Sequence, residues 1–93
     1  MFIWINKQGV QSDRGFVVQF TGRFAAEYRE GVSVVTLAVE DGVSGGLPAI
    51  IVSSEAFRRW DNDRAVIDPD KQERMLCNLR EAAEFQGLKL LVE

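Results

Sequence analysis

The hydrophobic period changes once along this chain of 93 residues, near Asp68. Before that point apolar residues mostly recur at every second position, the period of a half-buried strand. After it they recur at the spacing of a helix. A chain with one such change is expected to fold as α+β: an antiparallel sheet of about five strands, one long C-terminal helix on one face, and a final short strand.

The helix carries the clearest local signals. Asp68 suits the N-cap, Pro69 the first helical position, and Asp70 complements the helix dipole. Met75, Leu76, Leu79, Ala82 and Ala83 form one apolar stripe, and Gly87 is the expected terminator, so the helix is predicted over about 69–86. Residues 88–93 read as the last strand, returning to the sheet.

Upstream, Phe2-Ile3-Trp4-Ile5 is a strand closed by Asn6-Lys7-Gln8-Gly9, and Ser12-Asp13-Arg14-Gly15 is a turn. Phe16, Val18 and Phe20 share a face, and Thr21-Gly22 marks a bulge or turn. The stretch 23–30 alternates like a strand, although Phe24 and Tyr28 would also meet on a helical turn. Strand is favoured, because Glu30-Gly31 then turns into residues 33–40, with Val35, Leu37 and Val39 inward. The glycines of 41–48 predict a mobile loop, and Ala49-Ile50-Ile51-Val52 a strand buried on both faces. Residues 53–60 read as a strand end with a short helical turn, and Asp61-Asn62-Asp63 as a turn. The helix stripe is expected to dock on a sheet face bearing Val35, Leu37, Val39 and Ile51.

Composition narrows function. The chain has no histidine and one cysteine, Cys77. That removes a Ser-His-Asp triad, a Cys-His pair, a histidine-ligated zinc and any CxxC site. A net charge of −3 with interspersed signs provides no basic stripe for nucleic acid or an anionic membrane. No apolar run is long enough to span a bilayer, and the start lacks the basic segment of a secretory signal. The expectation is a cytoplasmic, single-domain protein with no catalytic residues, metal or cofactor.

The remaining clusters are weak as chemistry. Asp61, Asp63, Asp68 and Asp70 lack the alternation, central glycine and terminal glutamate of a calcium loop, and fit turn and cap duty. Gly42-x-x-Gly45-Gly46 lacks the Gly-Lys-Ser/Thr ending of a phosphate loop. Cys77 lies beside the helix stripe and is expected as a small buried hydrophobe. Arg58, Arg59, Trp60, Asp61 and Asp63 have interface character, since Trp and Arg concentrate at binding hot spots. The competing reading puts Trp60 in the core with Phe57 and leaves the arginines solvated. If a partner docks, these five residues are the expected contact, with the 41–46 loop beside them.

Several short motifs follow one another in a recognisable order. They are Tyr28-Arg29-Glu30-Gly31, a β-run ending at Glu40-Asp41-Gly42, Ile50-x-Val52-x-Ser54 and Arg59-Trp60-Asp61. Ile67-Asp68-x-Asp70-Lys71, Leu76-x-Asn78-Leu79-x-Glu81-Ala82 and Phe85-x-Gly87 complete the series. Over about residues 16–93 this resembles the immunity protein 74 family of bacterial polymorphic-toxin immunity proteins. The resemblance implies a small cytoplasmic α+β protein that binds and neutralises a cognate protein toxin, and it supplies no catalytic residues. A second expectation comes from the apolar first strand, Phe2 to Ile5, whose edge would suit assembly of a homodimer or larger homo-oligomer.

Overall fold

Side chains that alternate between apolar and polar give a strand one face to bury, and the first half of the chain solves this as a meander. The structure is a computed structural model describing residues 1–22 and 24–93. Strands β1 (Phe2–Asn6), β2 (Gly9–Ser12), β3 (Phe16–Gly22), β4 (Ala25–Glu30) and β5 (Ser33–Ala38) pair antiparallel in sequence order. Register puts Val10, Val18, Tyr28 and Val35 in one row across four strands, and all four are buried. The β3–β4 register shifts between Phe20 and Gly22, so Thr21-Gly22 marks a bulge. β4 realises the strand expected over 23–30 from Ala25 onward, and Arg23 lies outside the described residues.

The mobile loop expected over 41–48 is instead a hairpin of β6 (Glu40–Ser44) and β7 (Leu47–Val52). Gly45 and Gly46 both have positive φ, +57° and +81°, and occupy the two-residue turn between Ser44 and Leu47. That backbone matches the twist of a tight hairpin, which is why two glycines close it. Pro48 is tolerated because the pairing of β7 with the last strand, β8 (Lys89–Val92), starts one residue later at Ala49. β8 runs parallel to β7, so the final strand joins a second, three-stranded sheet of order β6-β7-β8. Ile50 and Val52 are buried, whereas Ile51, expected on the helix-facing side, is half-buried with its side chain close to Gly42.

Residues 53–60 form turns and no helix. The only helix among the described residues, α1 (Pro69–Phe85), begins and ends on its local signals. Asp68 Oδ1 accepts the Lys71 N–H at 3.0 Å. At the other end Gly87 adopts φ +81°, its N–H donates to Glu84, and the Leu88 N–H donates to Ala83. These two bonds are a Schellman closure, and Leu88 packs on the core beyond it. Met75, Leu79, Ala82 and Ala83 are buried in one cluster with residues of both sheets, and Leu76 is half-buried. Lys71 reaches Glu30, Asn78 reaches Tyr28, Glu81 meets Arg14 and Phe85 stacks near Phe2. The helix therefore crosses the strands from β4 towards β1.

Cys77 is exposed, contrary to the expected buried position. At 100° per residue it stands about 200° from both Met75 and Leu79, outside the stripe they define. It lines a surface hollow with Arg14, Lys71 and Arg74.

Candidate interaction surface

Between β7 and α1 the chain makes a loop whose two ends are nailed into the core. Phe57 is buried and meets the Tyr28 ring edge-on at 5.1 Å, and Ile67 is buried at the far end. Between these anchors the strands of a small irregular hairpin face each other. Arg59 bridges Val66, the Ile67 N–H donates to Arg58 C=O at 2.8 Å, and the Trp60 N–H donates to Ala65 C=O at 3.1 Å.

The tip of this hairpin is clamped onto β5, the last strand of the larger sheet. Asp61 Oδ2 accepts both the N–H and the hydroxyl of Thr36, at 2.9 and 2.6 Å. The Asp61 N–H donates to Val34 C=O at 2.7 Å. Asn62 accepts the Val34 N–H at 2.8 Å and donates to Val32 C=O at 2.9 Å. The N–H and C=O of Val34 and the N–H of Thr36, groups an edge strand would offer to another chain, are thus occupied from within. Asp63 Oδ1 accepts the Ala65 N–H at 2.9 Å, a short turn that closes the tip.

Arg64 has φ 59°, the only positive φ outside glycine among the described residues. A left-handed arginine costs backbone energy and persists because the surrounding bonds over-determine it. Its N–H donates to Trp60 C=O, and its own C=O accepts Arg59 Nη1 at 3.1 Å.

The five residues expected at an interface are therefore brought together on one ordered loop, in different roles. Arg59, Trp60 and Asp61, with Arg64, line a shallow cavity of about 360 Å³. Trp60 is half-buried and packs against the core, as the core reading of that side chain expects, and its remaining surface lines the cavity. Arg58 projects outward, touching Glu55 at 3.5 Å, a contact too solvated to hold it firmly. Asp61 and Asp63 are bonded within the fold, as turn duty anticipates. The 41–46 segment does not join this cavity, because Asp41 lines a separate hollow with Phe24, Ala38, Val39 and Glu40.

Sequence reasoning missed three contributors. Asn62 shares the clamp, Arg64 completes the cavity, and Val66, 67% exposed, adds apolar surface beside Arg59. The run of turn residues at 61–63 announced a bend, but nothing local announced that it would close on a strand some 25 residues earlier.

Among the described residues, no cluster of three or more His, Cys, Asp or Glu side chains is placed to hold a metal, and no helix is long and apolar enough to cross a membrane. No protein-family model matches the chain, and the curated proteins and solved structures compared with it give no match.

Proposed function

We propose that this chain is a non-catalytic protein-binding domain, an immunity-type inhibitor that neutralises a bacterial toxin by covering its working surface. The observation that carries this reading is the clamped hairpin at 58–66. It presents Arg59, Arg64 and half of Trp60 around a shallow cavity, with Arg58 and Val66 exposed on the same loop. Arginine and tryptophan are the side chains that concentrate binding energy at interface centres. A loop held by bonds to β5 before any partner arrives loses little conformational freedom on docking. The three guanidinium groups suit carboxylates on the partner, which they can grip in pairs of hydrogen bonds.

The family resemblance supplies the kind of partner, a protein toxin made by the same bacterium, and the cytoplasm as the place where it is met. The loop geometry supports the 58–66 hairpin as the surface that would meet it. Co-expression tests the function directly. The chain should restore growth to cells producing the toxic C-terminal domain encoded beside its own gene. Continued killing at equal expression, with the chain folded, contradicts the reading.

A further inference from the structure

We propose that β1 is a self-pairing edge through which two copies of this chain join into one continuous ten-stranded sheet. The inference rests on how differently the sheet's two margins are finished. At the β5 margin, Asp61 and Asn62 bond the outward N–H and C=O of Val34 and the N–H of Thr36. At the opposite margin β1 pairs, among the described residues, with β2 alone.

Two hydrogen bonds set the phase of that ladder. Asp13 N–H donates to Met1 C=O, and Phe20 N–H donates to Gln8 C=O. By the alternation of an antiparallel ladder, Met1 and Ile3 bond inward to β2, and the N–H and C=O groups of Phe2 and Trp4 point away from the sheet.

The side chains along this margin are apolar on both faces. Ile3 and Ile5 are 58% and 44% exposed on the face away from the helix. Trp4 is 51% exposed on the helix face, 5.6 Å from the ring of Phe85, itself 43% exposed. None of the usual guards of an edge, a lysine, a proline or an inward charge, occurs in Phe-Ile-Trp-Ile-Asn, although the chain bulges between Trp4 and Asn6.

A second copy fits better than an unrelated strand because the free groups are symmetric about Ile3. Setting Phe2 opposite Trp4 of the second copy, and Trp4 opposite its Phe2, satisfies all four outward groups on each side. Ile3 then faces Ile3 across the two-fold axis as a close, non-hydrogen-bonded pair. The strand carries no charge, so self-pairing brings no like charges together. The Phe2, Trp4 and Phe85 rings of the two copies would merge into one covered cluster. Such a contact is closed by its own symmetry and stops at two copies. It also leaves both 58–66 hairpins free, since they sit at the far margins, so this inference stands or falls independently of the toxin-binding reading.

Sedimentation equilibrium of the whole chain tests it. The apparent mass should rise from 10.4 kDa towards twice that value between about 1 and about 300 μM, the range of a small and weak interface. Ile3→Lys and Ile3→Glu, each at an exposed position, should each abolish the rise while leaving the circular dichroism spectrum unchanged. An equimolar mixture of the two should restore it, because opposite charges then face each other at the axis. A wild-type chain that stays monomeric throughout overturns the proposal. So does a dimer that survives either substitution, or a mixture that fails to re-form one.

Discussion

Tyr28 shows how much one residue can hold in a small fold. Its ring is fully buried, stacked on Phe16 at 5.6 Å and set edge-on to Phe57 at 5.1 Å. Its hydroxyl donates to Glu30 Oε2 at 2.5 Å and accepts from Asn78 Nδ2 at 2.9 Å. The other Glu30 oxygen takes the Lys71 ammonium at 2.6 Å, so β4 and α1 are joined through one polar chain at the margin of the core. Burial first, and the hydrogen bond to the Glu30 carboxylate second, push the phenol far above its ordinary value of 10.0. A raised folded-state value means the folded chain keeps its proton longer than the unfolded one. The stabilising effect is therefore complete below pH about 10 and is lost as pH rises beyond it. Tyr28 is the only tyrosine, which makes the tyrosinate absorbance of the protein a direct readout. It should stay silent through the ordinary phenol range and appear together with unfolding; a reversible titration near 10 in the folded protein would contradict the buried hydroxyl. Tyr28→Phe should cost about 1–3 kcal/mol in denaturant unfolding, since it strands Asn78 and part of Glu30 without their partner.

Among elements, the helix was the most legible and the second sheet the least. The Asp68-Pro69 start, the Met75/Leu79/Ala82/Ala83 stripe and the Gly87 stop are local signals, and the fold uses them where they stand. Leu79→Ala should cost about 2–5 kcal/mol, because the cavity opens in a cluster shared by both sheets. Thermal unfolding matching the parent would mean the helix docks by another face. The β6–β7 hairpin was hidden because Gly45-Gly46 signals a loop and a tight turn equally well. Its first strand, Glu-Asp-Gly-Val-Ser, has only one large apolar residue to show a period. The exposure of Cys77 was readable from helix angle alone, whereas proximity in sequence to the stripe pointed the wrong way. The candidate site was legible as composition, in Arg58 to Asp63, and illegible as architecture, because its clamp reaches across to β5. Asp61→Ala removes the acceptor for both Thr36 groups and should cost about 1 kcal/mol, water replacing part of the loss at this exposed position. It also reopens part of an edge, so light scattering on slow heating should rise earlier than in the parent. If neither stability nor scattering moves, the hairpin is not what closes that margin.

At the scale of the whole molecule, one sheet has two margins with opposite finishes. The β5 side is covered at Val34 and Thr36 by a hydrogen-bonded hairpin, which carries the arginine and tryptophan surface outward. The β1 side is apolar and open. Between them lies a core in which both sheets and the helix share one apolar cluster. The central claim is that the rigid hairpin is the surface that grips a toxin. Calorimetric titration against an inactivated form of the toxin domain that the proposed function expects to be encoded beside this chain's gene tests it most directly. Wild-type chain should bind one to one. Arg58→Glu combined with Arg59→Glu reverses two exposed charges and keeps the backbone-to-backbone bonds of the hairpin, while giving up the Arg59 Nη1 bond to Arg64 C=O. That variant should lose affinity by at least about tenfold, roughly 1.4 kcal/mol, with an unchanged circular dichroism spectrum. Affinity within about a factor of two of wild type, or no binding by wild type at all, would contradict the account.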